Sequence, residues 1–198
     1  NCCKSDMYSL MLLIVFAVLN LTSCNQTTSS PSELPTKVGD ITTARLLNIQ
    51  SEPGAWLTGG RDYQQSYSSP LKSINKENVQ QLGFAWQYDL DTTQGFESTP
   101  TVVDGVMFSS GPKGAVYSLD AKTGKSRWNF EPEIDPTIMR KACCGPVNRG
   151  VAVWQGRVYV ASLDGYLYAL NADTGAVNWK VDTITDRDRG YSITGAPY

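Results

Sequence analysis

Short runs in which apolar and polar residues alternate dominate the chain after residue 98, and they predict β-strands. Glycine-containing turn sequences such as Asp104-Gly105 and Thr123-Gly124 separate the runs. Before this region, an alternating aromatic run at residues 82–88 predicts a further strand, and Asp40 is predicted to cap a short helix over residues 41–48. The strands predicted in the first complete unit are residues 99–103, 106–109, 115–119 and 126–130.

The same pattern returns 51 positions later without a gap. Gly105-Val106-Met107-Phe108 recurs as Gly156-Arg157-Val158-Tyr159, and Trp128 recurs as Trp179. A fixed period of this size with several short strands per unit is typical of a β-propeller. Four antiparallel strands cannot bury both faces alone, so each blade must stack on its neighbours. The sequence therefore predicts an all-β propeller, with two full blades, parts of two others, and the tryptophans packed between blades.

The N-terminal region has the pattern of an export signal. An apolar run at residues 10–19 is shorter than the roughly 20 residues that a transmembrane helix needs and has the length of a signal-peptide core. Leu21-Thr22-Ser23-Cys24 resembles a bacterial lipobox. The favoured interpretation is a signal peptide over residues 1–24 with lipid on Cys24; a plain secretory signal or a buried helix are the alternatives. Residues 25–43 are then a flexible tether and residues 44–198 the propeller domain. We expect a periplasmic protein, anchored by its lipid to the outer membrane of a Gram-negative bacterium.

Charge and cysteine content limit the possible functions. The net charge is −2 and there is no basic run, so nucleic acid is not an expected partner. The absence of histidine excludes imidazole bases and most zinc sites within these residues. Cys143 and Cys144 are adjacent in the body of the chain. Neighbouring cysteines can close only a small strained ring, so the pair can form a disulfide or remain as two free thiols. Export to an oxidising compartment would favour the disulfide.

Three polar residues lie just before successive first strands, at one level beside the predicted propeller axis. They are Glu97, Arg149 and Thr194: Thr194 falls on Glu97 when Pro197 is set on Pro100, and Arg149 falls on Ser98, one position further along the repeat. The connection that carries the cysteines is longer than the next one, with 21 residues between Trp128 and Gly150. Extra loop length favours a functional role, and an arginine can bind a carboxylate through two bonds. The pattern predicts a site for a polar, planar, anionic small ligand.

These motifs carry a resemblance to a known family. Cys-Cys-x-x-Val-Asn-Arg-Gly, preceded by Gly-Phe-Glu-Ser-Thr-Pro and followed by Ile-Thr-Gly-Ala-Pro, resembles the alcohol dehydrogenases that depend on pyrroloquinoline quinone (PQQ). The likeness runs from about Ala44 to Tyr198. It implies the N-terminal part of an eight-bladed periplasmic propeller, in which a Cys143–Cys144 disulfide lies against the quinone. Glu97, Arg149 and Thr194 would bind the polar rim of the quinone.

The resemblance also implies a reaction. A small alcohol would be oxidised to an aldehyde, with hydride passing to the quinone and electrons to a cytochrome c or another acceptor. A calcium or lanthanide ion would polarise the quinone carbonyl, and an aspartate would take the alcohol proton. The metal ligands and this base are expected beyond Tyr198, so the chain is predicted to be a fragment that is inactive alone.

Two other functions fit parts of the sequence. A non-catalytic propeller lipoprotein of outer-membrane assembly would have the same signal and blades, but would need neither the cysteine pair nor Arg149. A sugar-oxidising quinoprotein fits less well, because adjacent cysteines are typical of the alcohol-oxidising branch.

Overall fold

Two four-stranded antiparallel sheets follow each other along the chain in the computed structural model, which describes residues 37–142 and 145–198. In each sheet the strands are hydrogen-bonded in chain order, as in a propeller blade. The predicted blades are therefore confirmed, with strand ends shifted by one or two residues. The first sheet contains β1 (Thr101–Val103), β2 (Val106–Ser110), β3 (Val116–Asp120) and β4 (Ser126–Phe130). The second contains β5 (Ala152–Trp154), β6 (Arg157–Ala161), β7 (Tyr166–Asn171) and β8 (Val177–Asp182).

A tight turn of the same kind begins both sheets. Asp104 and Gly105 join β1 to β2 with φ angles of 53° and 74°, and Gln155 and Gly156 join β5 to β6 with 47° and 72°. Two consecutive residues with positive φ are typical of the type I′ hairpin turn, whose twist matches that of the strands it joins. The local sequence therefore sets the hairpin register that the repeat predicts.

Trp128 of β4 fills the wedge between the two sheets, as predicted. Its indole N–H donates to the carbonyl oxygen of Ala172 at 3.0 Å, and its ring lies over Gly175. A Cβ on Gly175 would lie 2.6 Å from the ring, and this glycine has a φ of 73°. Glycine is therefore required there both by the backbone conformation and by the close approach of the ring.

The strand predicted at residues 82–88 is wrong in the part of the chain that the structure describes. No strand pairs with this segment, and Phe84 is 97% exposed. Trp86 nevertheless repeats the contacts of Trp128: its indole N–H donates to the carbonyl oxygen of Ala121 at 3.2 Å, and its ring covers Gly124. The alternating pattern predicted packing correctly only for Trp86 and Tyr88, which are partly buried, and it does not supply the hydrogen-bonded neighbour that a strand needs.

The segment before the sheets packs on both of them. Ile41 is fully buried, and Gly39 lies against Val153 and Ala172. Packed structure thus begins before residue 44, where the predicted tether ends, because Ile41 contributes an apolar side chain to the common core. Helix α1 (Thr43–Leu47) is capped by Thr42 rather than by Asp40, since the Thr42 hydroxyl accepts the Arg45 N–H at 3.4 Å. No helix among the described residues is long and apolar enough to cross a membrane.

Arg45 joins α1 to the first hairpin turn. Its guanidinium donates to both carboxylate oxygens of Glu52 at 2.8 and 2.7 Å and to Asp104 at 2.9 Å. Asp104 also accepts the Gly39 N–H at 2.9 Å. The hydrogen bonds from Arg45 hold the pKa of Glu52 below its usual value, because they favour the charged carboxylate.

Glu52→Gln is expected to lower the free energy of unfolding by about 1 kcal/mol near pH 7, because it removes a two-bond ion pair that is only partly exposed. The folded-state pKa of Glu52 is lowered, so its contribution is present above the unfolded value of about 4.3 and disappears as the pH falls through the folded value. Urea unfolding at pH 7 and at about pH 3 measures this. A difference between the variant and the wild type that is undiminished at low pH would contradict it.

Candidate functional site

The segment before β1, the segment before β5 and the segment around Thr194 lie side by side. The Thr99 N–H donates to the Arg149 carbonyl oxygen at 3.3 Å, and Thr99 and Gly150 form a parallel bridge between the two sheets. The Arg149 N–H donates to the Thr194 carbonyl oxygen at 3.0 Å. Main-chain hydrogen bonds therefore hold positions far apart in the sequence at one level.

The side chains of the predicted site residues meet at this level. Nη1 of Arg149 donates to the Thr194 hydroxyl at 2.8 Å, and Nη2 lies 3.4 Å from a carboxylate oxygen of Glu97. The Arg149 and Glu97 side chains are 51% and 47% exposed. The arrangement presents a cation, an anion and a hydroxyl on an open face, where a ligand can replace water around the guanidinium.

The predicted disulfide partners Cys143 and Cys144 lie outside the described residues. On their N-terminal side the long connection forms a helix that the sequence analysis missed, α2 (Ile138–Lys141). On their C-terminal side, the Pro146 carbonyl oxygen accepts the Lys113 N–H at 2.6 Å, which ties the connection to the turn between β2 and β3. Predicted lipidation at Cys24 also falls on residues that the structure does not describe.

Two residues beside the predicted site were missed by the sequence analysis. Asn148 is 2% exposed and uses both ends of its side-chain amide, and Ser98 accepts two hydrogen bonds through its hydroxyl. In the 51-residue repeat, Ser98 is equivalent to Arg149 and Glu97 is equivalent to Asn148. The sequence analysis selected only the charged residue of each pair. The sequence signal that could have identified Ser98 and Asn148 is that each is adjacent to a predicted site residue, Glu97 or Arg149.

A cleft of about 650 Å³ opens beside Arg149. Much of its wall is the apolar face of the second sheet, including Tyr159 and Trp179. Trp179 repeats the position of Trp128, which the neighbouring sheet covers. We therefore interpret this wall as a blade-packing surface and only the polar end at Arg149 as a candidate ligand site. No group of three or more potential metal-ligating side chains occurs within residues 37–142 and 145–198.

Stacked four-stranded antiparallel sheets are typical of part of a β-propeller, and the polar cluster before their first strands is a candidate ligand site. The family model described as "Glucose/ethanol/alcohol dehydrogenase, beta-propeller domain", the PQQ family, matches residues 56–183. The chain belongs to this PQQ family of β-propeller dehydrogenase domains.

Known relatives agree with this assignment. The chain is 48% identical to a quinohemoprotein alcohol dehydrogenase, ADH-IIG of Pseudomonas putida, over 91% of the chain and 25% of the relative. It is 46% identical to a 1-butanol dehydrogenase (cytochrome c) of Thauera butanivorans over 73% of the chain and 21% of the relative. The solved structure of ADHIIG superimposes with a TM-score of 0.79 at 50% identity, covering 81% of this chain and 23% of that one.

The predicted family and the predicted propeller class are thus confirmed. The chain spans about a quarter of the length of the curated relatives that it matches.

Proposed function

We propose that the full-length protein containing this chain uses PQQ to oxidise small alcohols to aldehydes. The observation that carries the proposal is the contact of Arg149 with both Thr194 and Glu97, at the place where three successive chain segments converge. The 48% identity to a quinohemoprotein alcohol dehydrogenase supports the choice of cofactor and substrate class.

The described residues fit PQQ by the chemistry of their donors and acceptors. PQQ is planar and carries carboxylates, and the guanidinium of Arg149 suits a carboxylate because its N–H groups are coplanar. The Thr194 hydroxyl can donate or accept, and the Glu97 carboxylate can accept from an N–H of the ligand. When bound, the quinone supplies the hydride acceptor, and calcium or a lanthanide supplies the positive charge that polarises it.

The role of this chain is to bind and orient the cofactor. Contacts with Thr194 and Glu97 hold the Arg149 side chain, so its guanidinium keeps one orientation instead of sampling many side-chain conformations. A Cys143–Cys144 disulfide is proposed to cover one face of the quinone. We propose that the metal ligands and the aspartate base belong to the full-length protein outside these residues.

The electron acceptor is proposed to be a cytochrome c or a membrane carrier. One relative is a 1-butanol dehydrogenase (cytochrome c), and another is the dehydrogenase subunit of an alcohol dehydrogenase (quinone) of Komagataeibacter europaeus. The export signal and Cys24 lead us to propose a periplasmic location with a lipid anchor.

Reconstitution tests the proposal directly. We expect the full-length protein, loaded with PQQ and calcium, to reduce an artificial dye when ethanol or 1-butanol is added, and to show much less activity with glucose. A parallel sample loaded with a lanthanide compares the two metals, and protein without quinone is the control. No dye reduction by the loaded protein with any alcohol would contradict the proposal and favour the scaffold alternative.

A further inference from the structure

We infer that Ser98 and Asn148 are positioning residues of the ligand site. Each ties the loop that carries a site residue to the end of the second strand of its own sheet. The inference rests on the proposed function for the identity of the ligand as PQQ, but the geometry that it describes belongs to this chain alone.

Asn148 holds the main chain on both sides of Arg149. Its side-chain N–H donates to the Ala161 carbonyl oxygen at 2.8 Å, and its side-chain oxygen accepts the Gly150 N–H at 3.2 Å. Both hydrogen bonds are buried, so water does not compete for these groups. Gly150 has a φ of 146°, and a Cβ there would lie 3.3 Å from the Thr99 carbonyl oxygen. Asn148 therefore keeps Arg149 next to a backbone position that has little freedom to move.

Ser98 makes the corresponding connection in the first sheet. Its hydroxyl oxygen accepts the Ser110 N–H at 2.9 Å and the Ser109 hydroxyl at 3.0 Å. Ser110 is the last residue of β2, and Ala161 is the last residue of β6, 51 positions later. Two different side chains thus bind the same strand end in both sheets, although they are one position apart in the repeat.

The position of the Arg149 guanidinium depends on these connections because the side chain itself is half exposed. Burial does not hold the guanidinium in place. The Arg149 backbone is instead hydrogen-bonded to Thr194 and Thr99, and Asn148 ties the adjacent Gly150 N–H and the Ala161 carbonyl oxygen together. A ligand site requires its binding groups to be held to within about 0.5 Å. Loss of Asn148 should therefore weaken ligand binding more than it disturbs the fold.

Equilibrium titration of the full-length apoprotein with PQQ, followed by tryptophan fluorescence, tests the inference. We expect about tenfold weaker PQQ binding for Asn148→Ala and Ser98→Ala, and near wild-type binding for Ser98→Thr, which keeps the hydroxyl. The matched control is Asn171→Ala, because the Asn171 side chain accepts two N–H groups in a turn between β7 and β8. The control should lower the melting temperature but leave PQQ affinity unchanged. If Asn148→Ala does not fold, Asn148→Leu removes the same two hydrogen bonds, keeps most of the side-chain volume without adding a charge, and gives the same comparison.

Hydrogen exchange separates this inference from the proposed function. We expect the Gly150 amide to exchange at least tenfold faster in Asn148→Ala or Asn148→Leu than in the wild type, with or without quinone, because both variants lack the oxygen that accepts the Gly150 N–H. Unchanged exchange at Gly150, or unchanged PQQ affinity in a folded Asn148 variant, would overturn the positioning role. Failure of the wild-type apoprotein to bind PQQ would instead overturn the proposed function, and the exchange result would still decide whether Asn148 holds the Arg149 loop.

Discussion

Arg149→Ala is expected to weaken PQQ binding to the full-length protein by about 100-fold. The change removes a charged donor whose hydrogen bonds to an anionic ligand contribute about 1.5–3 kcal/mol each, and 1.4 kcal/mol corresponds to a tenfold change in affinity. It also leaves Glu97 without its cation, so that a carboxylate faces the incoming anion. Titration of the apoprotein with PQQ measures the loss.

Two further variants make this result specific. Arg149→Lys should bind PQQ with intermediate affinity, because an ammonium keeps the charge but not the planar pair of donors. Arg127→Ala is the matched control: Arg127 forms an exposed ion pair with Asp173 at 3.5 Å, and its loss should leave PQQ affinity unchanged. Equal affinities of Arg149→Ala and Arg127→Ala for PQQ would exclude Arg149 from the ligand site.

Trp128→Ala is expected to lower the free energy of unfolding by about 3–5 kcal/mol, because it opens a cavity between the two sheets. The indole is 9% exposed and lies 5.9 Å from the ring of Phe108, so the lost volume is internal. The Ala172 carbonyl oxygen also loses its donor. Denaturant unfolding of the full-length protein gives the value, and Trp128→Phe should cost less because most of the apolar volume is kept.

Gly175 provides a second measure of the same interface. Gly175→Ala should destabilise the wild type because the new Cβ would lie 2.6 Å from the Trp128 ring and because φ there is 73°. In the Trp128→Ala background only the backbone strain remains, so the two changes should be less than additive. Strict additivity would show that the tryptophan does not pack on this glycine in solution.

Local sequence patterns and the repeat were sufficient to predict most of the fold. The hairpin at Asp104-Gly105 and the strand alternation need only neighbouring residues, and the 51-residue repeat then predicts that the sheets stack. The prediction failed at residues 82–88, because strand pairing requires a partner that a local pattern does not supply. It also failed for α2, since the longer connection at residues 131–149 has no repeat partner of equal length.

For the site, the repeat was enough to group Glu97, Arg149 and Thr194, because positions at or next to the same point of the repeat lie at one level in stacked blades. The sequence by itself determined the class of fold, the family and this group of residues. Only the tertiary structure showed that Asn148 and Ser98 hold the loops in place, since their partners Ala161 and Ser110 are brought near by strand pairing. Hydrogen bonds of that kind depend on distances of a few tenths of an ångström, which a pattern of residue types does not contain.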